Sequence, residues 1–243
     1  MDNYELLVYE DLQSLARACA QMVLEASQQA VKAGRKFTIA LSGGNTPATL
    51  FKTLAAEPYS TQMPWASTCV FWGDERCVPL YDENNNAHNA IELLLSRVNI
   101  PPENIFRIPV NLPPAKAAEQ YENELKAFFE TNPPQFDVIL LGLGNDGHTA
   151  SLFPASAALK EKNRLVLANY LHGPNVFRIT LTYPVINAAH KIVFMVSGKT
   201  KSTILKSVLQ DNKKQYPAQV IQPEHGKLIW MVDKDAAQDL QAV

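Results

Sequence analysis

The sequence predicts an α/β protein, with three αβα layers around a mainly parallel, doubly wound sheet, built as one domain over residues 1–243. Three observations carry this. Short apolar runs alternate with segments of helical periodicity from one end of the chain to the other. Runs such as Val138-Ile139-Leu140-Leu141 and Ile192-Val193-Phe194-Met195-Val196 are continuously apolar, as strands buried on both faces must be. Neither an internal repeat nor a Gly/Ser-rich linker divides the chain.

The elements follow in order. Leu6-Leu7-Val8-Tyr9 is the first strand. Leu12, Leu15, Cys19, Met22, Val23, Ala26 and Ala30 then recur at helical spacing and form one buried face, with Asp11 as N-cap and Gly34 as stop. Phe37-Thr38-Ile39-Ala40-Leu41 is the second strand. It runs into Ser42-Gly43-Gly44, and a helix is expected to open at Pro47, because proline suits a first turn. Cys69-Val70-Phe71-Trp72 is a third strand, followed by a helix over 87–98. Residues 114–130 form a helix with Ala117, Tyr121, Leu125 and Phe128 on one side. After the buried strand at 138–141, Val176-Phe177-Arg178-Ile179-Thr180-Leu181 alternates as a half-exposed strand does. The runs 192–196 and 227–232 are the last two strands, with a helix from about 200 to 210 between them. The pairs Pro101-Pro102, Pro113-Pro114 and Pro133-Pro134 punctuate loops.

Composition excludes several classes. Lys plus Arg is 22 and Asp plus Glu is 24, a net charge of −2, without the basic excess that a nucleic-acid binder uses to displace counterions. At 47% hydrophobic and 19% charged residues, the chain can bury a real core. Cys19, Cys69 and Cys77 are odd in number, widely spaced and without a C-x-x-C pair, so neither a disulfide framework nor a zinc knuckle is indicated. Met1-Asp2-Asn3-Tyr4-Glu5 lacks the features of a signal peptide, and no apolar run approaches the roughly eighteen residues of a membrane span. The expectation is a reduced, cytoplasmic globular protein with no membrane, nucleic-acid or obligatory protein partner.

Ligands of such sheets bind beyond the carboxyl ends of the strands. At the first such end, Ser42-Gly43-Gly44-Asn45-Thr46-Pro47 offers backbone N–H groups and a helix N-terminus to an anion. The bland alternative is an ordinary tight βα turn, and without a following Gly-Lys-Ser/Thr it is no Walker loop. At the second, Asp74-Glu75-Arg76 follows a buried strand. Arg76 can hold a phosphate or carboxylate through its planar fork, and Asp74 and Glu75 can orient it or hold sugar hydroxyls. A solvated loop with local ion pairs is the commoner outcome for such runs. Cys77 is expected to be a packed small residue rather than a nucleophile.

At the third end, Gly142, Gly144 and Gly147 have the spacing G-x-G-x-x-G, so a dinucleotide site must be weighed. No acidic residue stands about twenty positions on, where Leu165-Val166-Leu167-Ala168 is found, and Pro154 interrupts the helix such a site requires. Asp146-Gly147-His148 instead places a carboxylate and an imidazole in one turn, a suitable general base for water. The fourth group is Arg178, with Lys199 and Lys201 after Ser197-Gly198. Each is a surface cation or a further positive charge for the same ligand.

Together these residues resemble the 6-phosphogluconolactonase family, within the superfamily that also holds glucosamine-6-phosphate deaminase. The resemblance spans nearly the whole chain. It rests on Ser42-Gly43-Gly44-x-Thr46-Pro47, Trp72-Gly73-Asp74-Glu75-Arg76-x-Val78-Pro79, Asn89, Gly142-x-Gly144-x-Asp146-Gly147-His148-Thr149-Ala150-Ser151-Leu152-Phe153-Pro154, Arg178-Ile179-Thr180 and Gly198-x-x-Lys201. Arg76 and the Thr149–Pro154 segment are the lactonase forms; the deaminase branch has Asp-Glu-Tyr and His-Ile-Ala-Phe-Asn-Glu-Pro there. One departure is Asn84-Asn85-Asn86-Ala87-His88-Asn89, where the family more often has Ser before the last Asn.

The resemblance implies a Rossmann-like fold and hydrolysis of 6-phospho-D-glucono-1,5-lactone in the oxidative pentose phosphate pathway, with no cofactor and no metal. It implies His148 as general base, Asp146 as its orienting acid, and Arg76 at either the carbonyl or the phosphate. Ser42, Gly43, Gly44, Asp74, Arg178 and Lys201 would bind the substrate and its phosphate. Two alternatives are a sugar-phosphate deaminase or isomerase with Asp74 as carbon base, and a non-catalytic sugar-phosphate sensor. The missing glutamate after the glycine loop argues against the first, and the lack of a DNA-binding helix pair against the second.

Overall fold

A computed structural model describes residues 4–171, 177–211 and 215–241. β1 (Tyr4–Tyr9) leads into α1 (Leu12–Lys32), which starts where the sequence requires. The Asp11 carboxylate accepts the Ser14 N–H at 2.7 Å and Ser14 Oγ accepts the Asp11 N–H at 3.1 Å, a reciprocal capping box. Next come β2 (Phe37–Leu41), α2 (Asn45–Leu54), α3 (Tyr59–Gln62), β3 (Thr68–Trp72), β4 (Asp74–Arg76), α4 (Asn86–Leu93) and α5 (Pro114–Phe128). The second half holds β5 (Val138–Leu141), β6 (Val166–Tyr170), β7 (Phe177–Leu181), α6 (Tyr183–Asn187), β8 (Lys191–Val196), α7 (Ser202–Gln210), β9 (Lys227–Asp233) and α8 (Lys234–Ala237).

Six strands pair in the order β1-β9-β8-β5-β2-β3, every neighbour parallel, with helices flanking the sheet. Every residue of β2, β3 and β5 is buried, which is why those runs carry no polar alternation. The α/β expectation therefore holds. An unforeseen second sheet, β4-β7-β6, is antiparallel and continues from the end of β3.

Several boundaries differ from the sequence reading, the following four among them. α2 opens at Asn45 rather than Pro47, with Gly44 as N-cap, so the proline takes the third helical position. Its missing N–H costs nothing there, because the first N–H groups of a helix have no intrahelical acceptor. The helix expected over 87–98 is α4, followed by a 3₁₀ turn at Leu95–Arg97. α5 stops at Phe128, where Phe129 turns to extended backbone and joins Phe128 in an aromatic cluster. The half-exposed strand begins at Phe177; Val176 lies outside the described residues.

The core holds the fold from both directions along β3. Phe71 stacks on Phe106 at 4.5 Å between ring centroids and meets Phe128 and Phe136 edge-on. The next residue, Trp72, is gripped by its backbone: the buried Tyr121 hydroxyl of α5 accepts its N–H at 2.9 Å and donates to its carbonyl at 3.0 Å. Removing that hydroxyl leaves two buried backbone groups unpaired. Tyr121→Phe is therefore expected to destabilise the protein by about 1–3 kcal/mol in urea unfolding with an unchanged m-value. Wild-type stability would show that Trp72 has another partner.

Candidate active site

The chain steps outward from β2 to β3 and then crosses back to the other side of β2 as β5. That reversal leaves a crevice beyond the carboxyl ends of β2 and β5. A cavity of about 410 Å³ occupies it. Ser42, Gly43, Gly44, Asp74, Arg76, His148 and Lys201 all line it, although they come from four separate segments of the chain. Asp146 and Arg178 stand one step behind, against His148 and opposite Arg76 respectively.

The histidine is held by its own turn. After β5, the Gly144 N–H donates to the His148 carbonyl at 2.8 Å and the Gly147 N–H to the Gly144 carbonyl at 3.0 Å. The imidazole folds back over Gly144 so closely that a Cβ at that position would lie 2.0 Å from Nδ1. Gly144 is thus a glycine for the sake of the histidine. Asp146 Oδ1 lies 2.5 Å from Nδ1, and the Phe153 ring stacks on the imidazole at 4.1 Å. Burial pushes the Asp146 carboxyl up, but the hydrogen bond and charge of His148 outweigh it and hold the group below its ordinary value. Between β5 and β6 there is one 3₁₀ turn, Ala157–Lys160, and no α-helix to receive a pyrophosphate, as Pro154 indicated.

The charged trio is a strand rather than a loop, and alternation sorts its side chains. Asp74 pairs with Thr180 and Arg76 with Arg178 across the antiparallel ladder, so these four share one face. Asp74 is buried and its Oδ2 accepts the Ser151 hydroxyl at 2.6 Å. Burial raises its carboxyl, opposed by that hydrogen bond and by the charges of Arg76, His148 and Arg178. Glu75 points to the other face. Its carboxylate accepts the N–H groups of Arg76 at 2.7 Å and of Asn86 and Ala87 at 2.8 Å, and burial pushes it up to about 7. The expectation that these acids orient Arg76 is corrected. Among the described residues neither makes an ion pair with its guanidinium, which donates to the Asn84 carbonyl at 2.9 Å instead. Glu75 does not line the cavity, because it caps the start of α4. Burial raises the Cys77 thiol to about 11, in keeping with a packed residue.

Lys201 ends a 3₁₀ turn that precedes α7. Asp233 at the end of β9 fixes the segment before it, accepting the Ser197 hydroxyl and the Gly198 N–H. The Lys201 ammonium donates to Asn145 Oδ1 at 2.7 Å, and burial lowers its pKa against the pull of Asp146. Lys199 does not line the cavity. Burial, reinforced by the Arg76 charge, likewise lowers Arg178, which nonetheless stays protonated as arginine does. Sequence reasoning missed Asn86, which lines the cavity beside Gly43. It named Asn89, whose carboxamide instead donates to the carbonyls of Glu83 and Asn85, outside the cavity. The available signal was Asn85, whose side chain caps the His88 N–H at 2.9 Å and so sets Asn86 at the first helical position.

Comparison with known proteins agrees with this arrangement. The family pattern described as glucosamine-6-phosphate isomerases/6-phosphogluconolactonase matches residues 10–230. A 6-phosphogluconolactonase of Nostoc sp. is 40% identical over 239 residues, covering 96% of this chain and 97% of that one. One from Synechocystis sp. is 43% identical over 210 residues, covering 84% and 85%. A solved 6-phosphogluconolactonase from Trypanosoma brucei superposes with a TM-score of 0.87 at 28% identity, covering 99% of this chain and all of that one. The chain belongs to the glucosamine-6-phosphate isomerase/6-phosphogluconolactonase family.

Proposed function

We propose that the protein hydrolyses 6-phospho-D-glucono-1,5-lactone to 6-phospho-D-gluconate in the oxidative pentose phosphate pathway. The observation that carries this is the His148–Asp146 pair, 2.5 Å apart, on a cavity that also gathers the glycine turn, Arg76 and Lys201. With Nδ1 engaged by the carboxylate, Nε2 is the nitrogen that takes a proton from water as the oxygen adds to the lactone carbonyl. Asp146 supports the imidazolium that forms. Collapse of the tetrahedral oxyanion breaks the bond to the ring oxygen, and His148 returns its proton there. Ser42, the N–H groups of Gly43 and Gly44, Arg178 and Lys201 hold the phosphate, and Asp74 faces the sugar. Arg76 serves the oxyanion or the phosphate. No step needs a metal or cofactor.

The same reading makes the chain one domain acting in the cytoplasm on a small molecule alone. No helix among the described residues is long and apolar enough to cross a membrane.

His148→Ala should lower kcat by roughly two to four decades over the spontaneous background, with KM little changed. Near wild-type turnover by the folded variant would remove His148 from the mechanism. Exhaustive chelation should leave the rate untouched; loss restored by a single divalent ion would overturn the metal-free scheme.

Unphosphorylated gluconolactone should be poorer by about a hundredfold or more in kcat/KM, since several charge-assisted contacts of about 1.5–3 kcal/mol are forgone. Arg178→Ala should penalise the phosphorylated lactone far more than the plain one. Arg76→Ala assigns that residue: an equal penalty on both lactones puts it at the carbonyl. Equal wild-type efficiency on both lactones would show that the phosphate cradle is misassigned.

A further inference from the structure

We infer that Ser151 is a positioning residue, whose hydroxyl fixes the Asp74 carboxylate in the cavity wall and leaves one of its oxygens for a donor on the substrate. The inference rests on the lactonase reading of the cavity. Asp74 is the one carboxylate among the described residues that line the cavity, and 9% of its surface stays exposed. Its Oδ2 accepts the Ser151 hydroxyl at 2.6 Å, the short distance of a charge-assisted bond. Its Oδ1 accepts no hydrogen bond from the described residues and is not enclosed. A carboxylate with one oxygen held can no longer turn freely, so the other keeps a fixed direction.

The serine is itself held. Its N–H donates to Thr180 Oγ1 at 3.2 Å and its carbonyl accepts from Asn169 Nδ2 at 2.8 Å, so β7 and β6 fix its backbone while its side chain reaches β4. The chain arrives there from His148 through Ala150 at φ +46°, a left-handed conformation that a Cβ disfavours and that persists only where the surroundings impose it. The charges facing Asp74 are Arg76 on its own strand, Arg178 on β7 and His148 on the turn after β5; Glu75 adds like charge from the other face of β4. Burial raises the Asp74 carboxyl, and the Ser151 bond is the largest of the effects that oppose it. Ionised, Oδ1 can only accept. The phosphate oxygens and lactone carbonyl also only accept, so its partner on the substrate is a hydroxyl.

The test reads kcat/KM against pH for the wild type, Ser151→Ala, Asp74→Asn and the double variant on the phosphorylated lactone, each corrected for spontaneous hydrolysis. Ser151→Ala removes one hydroxyl from a buried position and adds no atom. It should lower kcat/KM about tenfold at neutral pH and move the acidic limb up by about one pH unit. The direction follows from the bond: the hydroxyl stabilises the ionised carboxylate, so without it Asp74 keeps its proton to higher pH. In the Asp74→Asn background the same substitution should cost less than about twofold and leave the limb in place. That background also separates Asp74 from Glu75, which burial pushes up to about 7. An unmoved limb in Ser151→Ala, or an equal penalty with and without the Asp74 carboxylate, would overturn the inference and leave Ser151 a brace for the turn. Should a variant not fold, or Asp74→Asn be too slow to measure, a wild-type crystal complex with 6-phosphogluconate decides. A product hydroxyl on Asp74 Oδ1 supports the inference, and its absence there overturns it. A wild type inactive on the phosphorylated lactone would defeat the lactonase reading itself, a result separable from both.

Discussion

Parallel pairing of β2 with both β3 and β5 is the constraint from which the rest of the molecule follows. Strands that run the same way end at the same edge, so the loops after β2, β3, β5 and β8 leave the sheet side by side however far apart they are in sequence. Buried strands have no room for charge, and the polar residues of these segments are displaced into those loops. The opposite edge is closed instead. There Asp137, just before β5, accepts the Thr38 N–H at 2.8 Å and pairs with Arg35 at 2.6 Å, joining β2 to β5. One edge is fixed for stability and the other is left open for chemistry.

The small antiparallel sheet turns that open edge into an enclosed site. Gly73 continues from β3, donating to the Leu41 carbonyl at 2.9 Å and accepting the Leu181 N–H at 2.9 Å, so β7 is drawn alongside β4. Ser151, just past the histidine turn, is then held by three separate strands. Its hydroxyl donates to Asp74, its N–H to Thr180 Oγ1 at 3.2 Å, and its carbonyl accepts from Asn169 at 2.8 Å. The histidine turn and the arginine strand are therefore tied together through Ser151. Arg76 directly opposite Arg178 is a pairing that like charge opposes. Asp74 on the same face relieves part of it, and an anionic substrate relieves more, which is a physical reason to place phosphate or oxyanion charge there.

How much of this was legible follows from which signals are local. The buried parallel strands stood out because each is an unbroken apolar run, and the four strand ends stood out because charge and glycine follow such runs abruptly. β4 did not, since three charged residues carry no apolar alternation, and only pairing with β7 makes them a strand. The inference that Asp74 and Glu75 orient Arg76 failed on two counts: Glu75, next in the strand, points to the opposite face, and Asp74, on the same face as Arg76, is engaged by the Ser151 hydroxyl. β6 was hidden in Val166–Tyr170, read only as the place where a ribose-binding acid was missing. Asn86 stayed concealed in a run of three asparagines, whose members are told apart by what lies across from them.

The glycines settle what their spacing alone left ambiguous. G-x-G-x-x-G fits either a pyrophosphate lying on a helix N-terminus or a turn that folds one of its own side chains back on the backbone. The two differ in what a methyl group would strike. At Gly144 it would strike the imidazole of His148, and at Gly43 the carboxamide of Asn86. At both positions the space denied to a side chain is filled by a polar group of the protein that lines the cavity. A cofactor site would need that space for the ligand's own phosphates. On the proposed mechanism the glycine turn after β5 holds the base, and anion binding falls to the turn after β2, at the N-terminus of α2. On that proposal the two glycine turns divide the reaction between them, one for the proton and one for the remote charge.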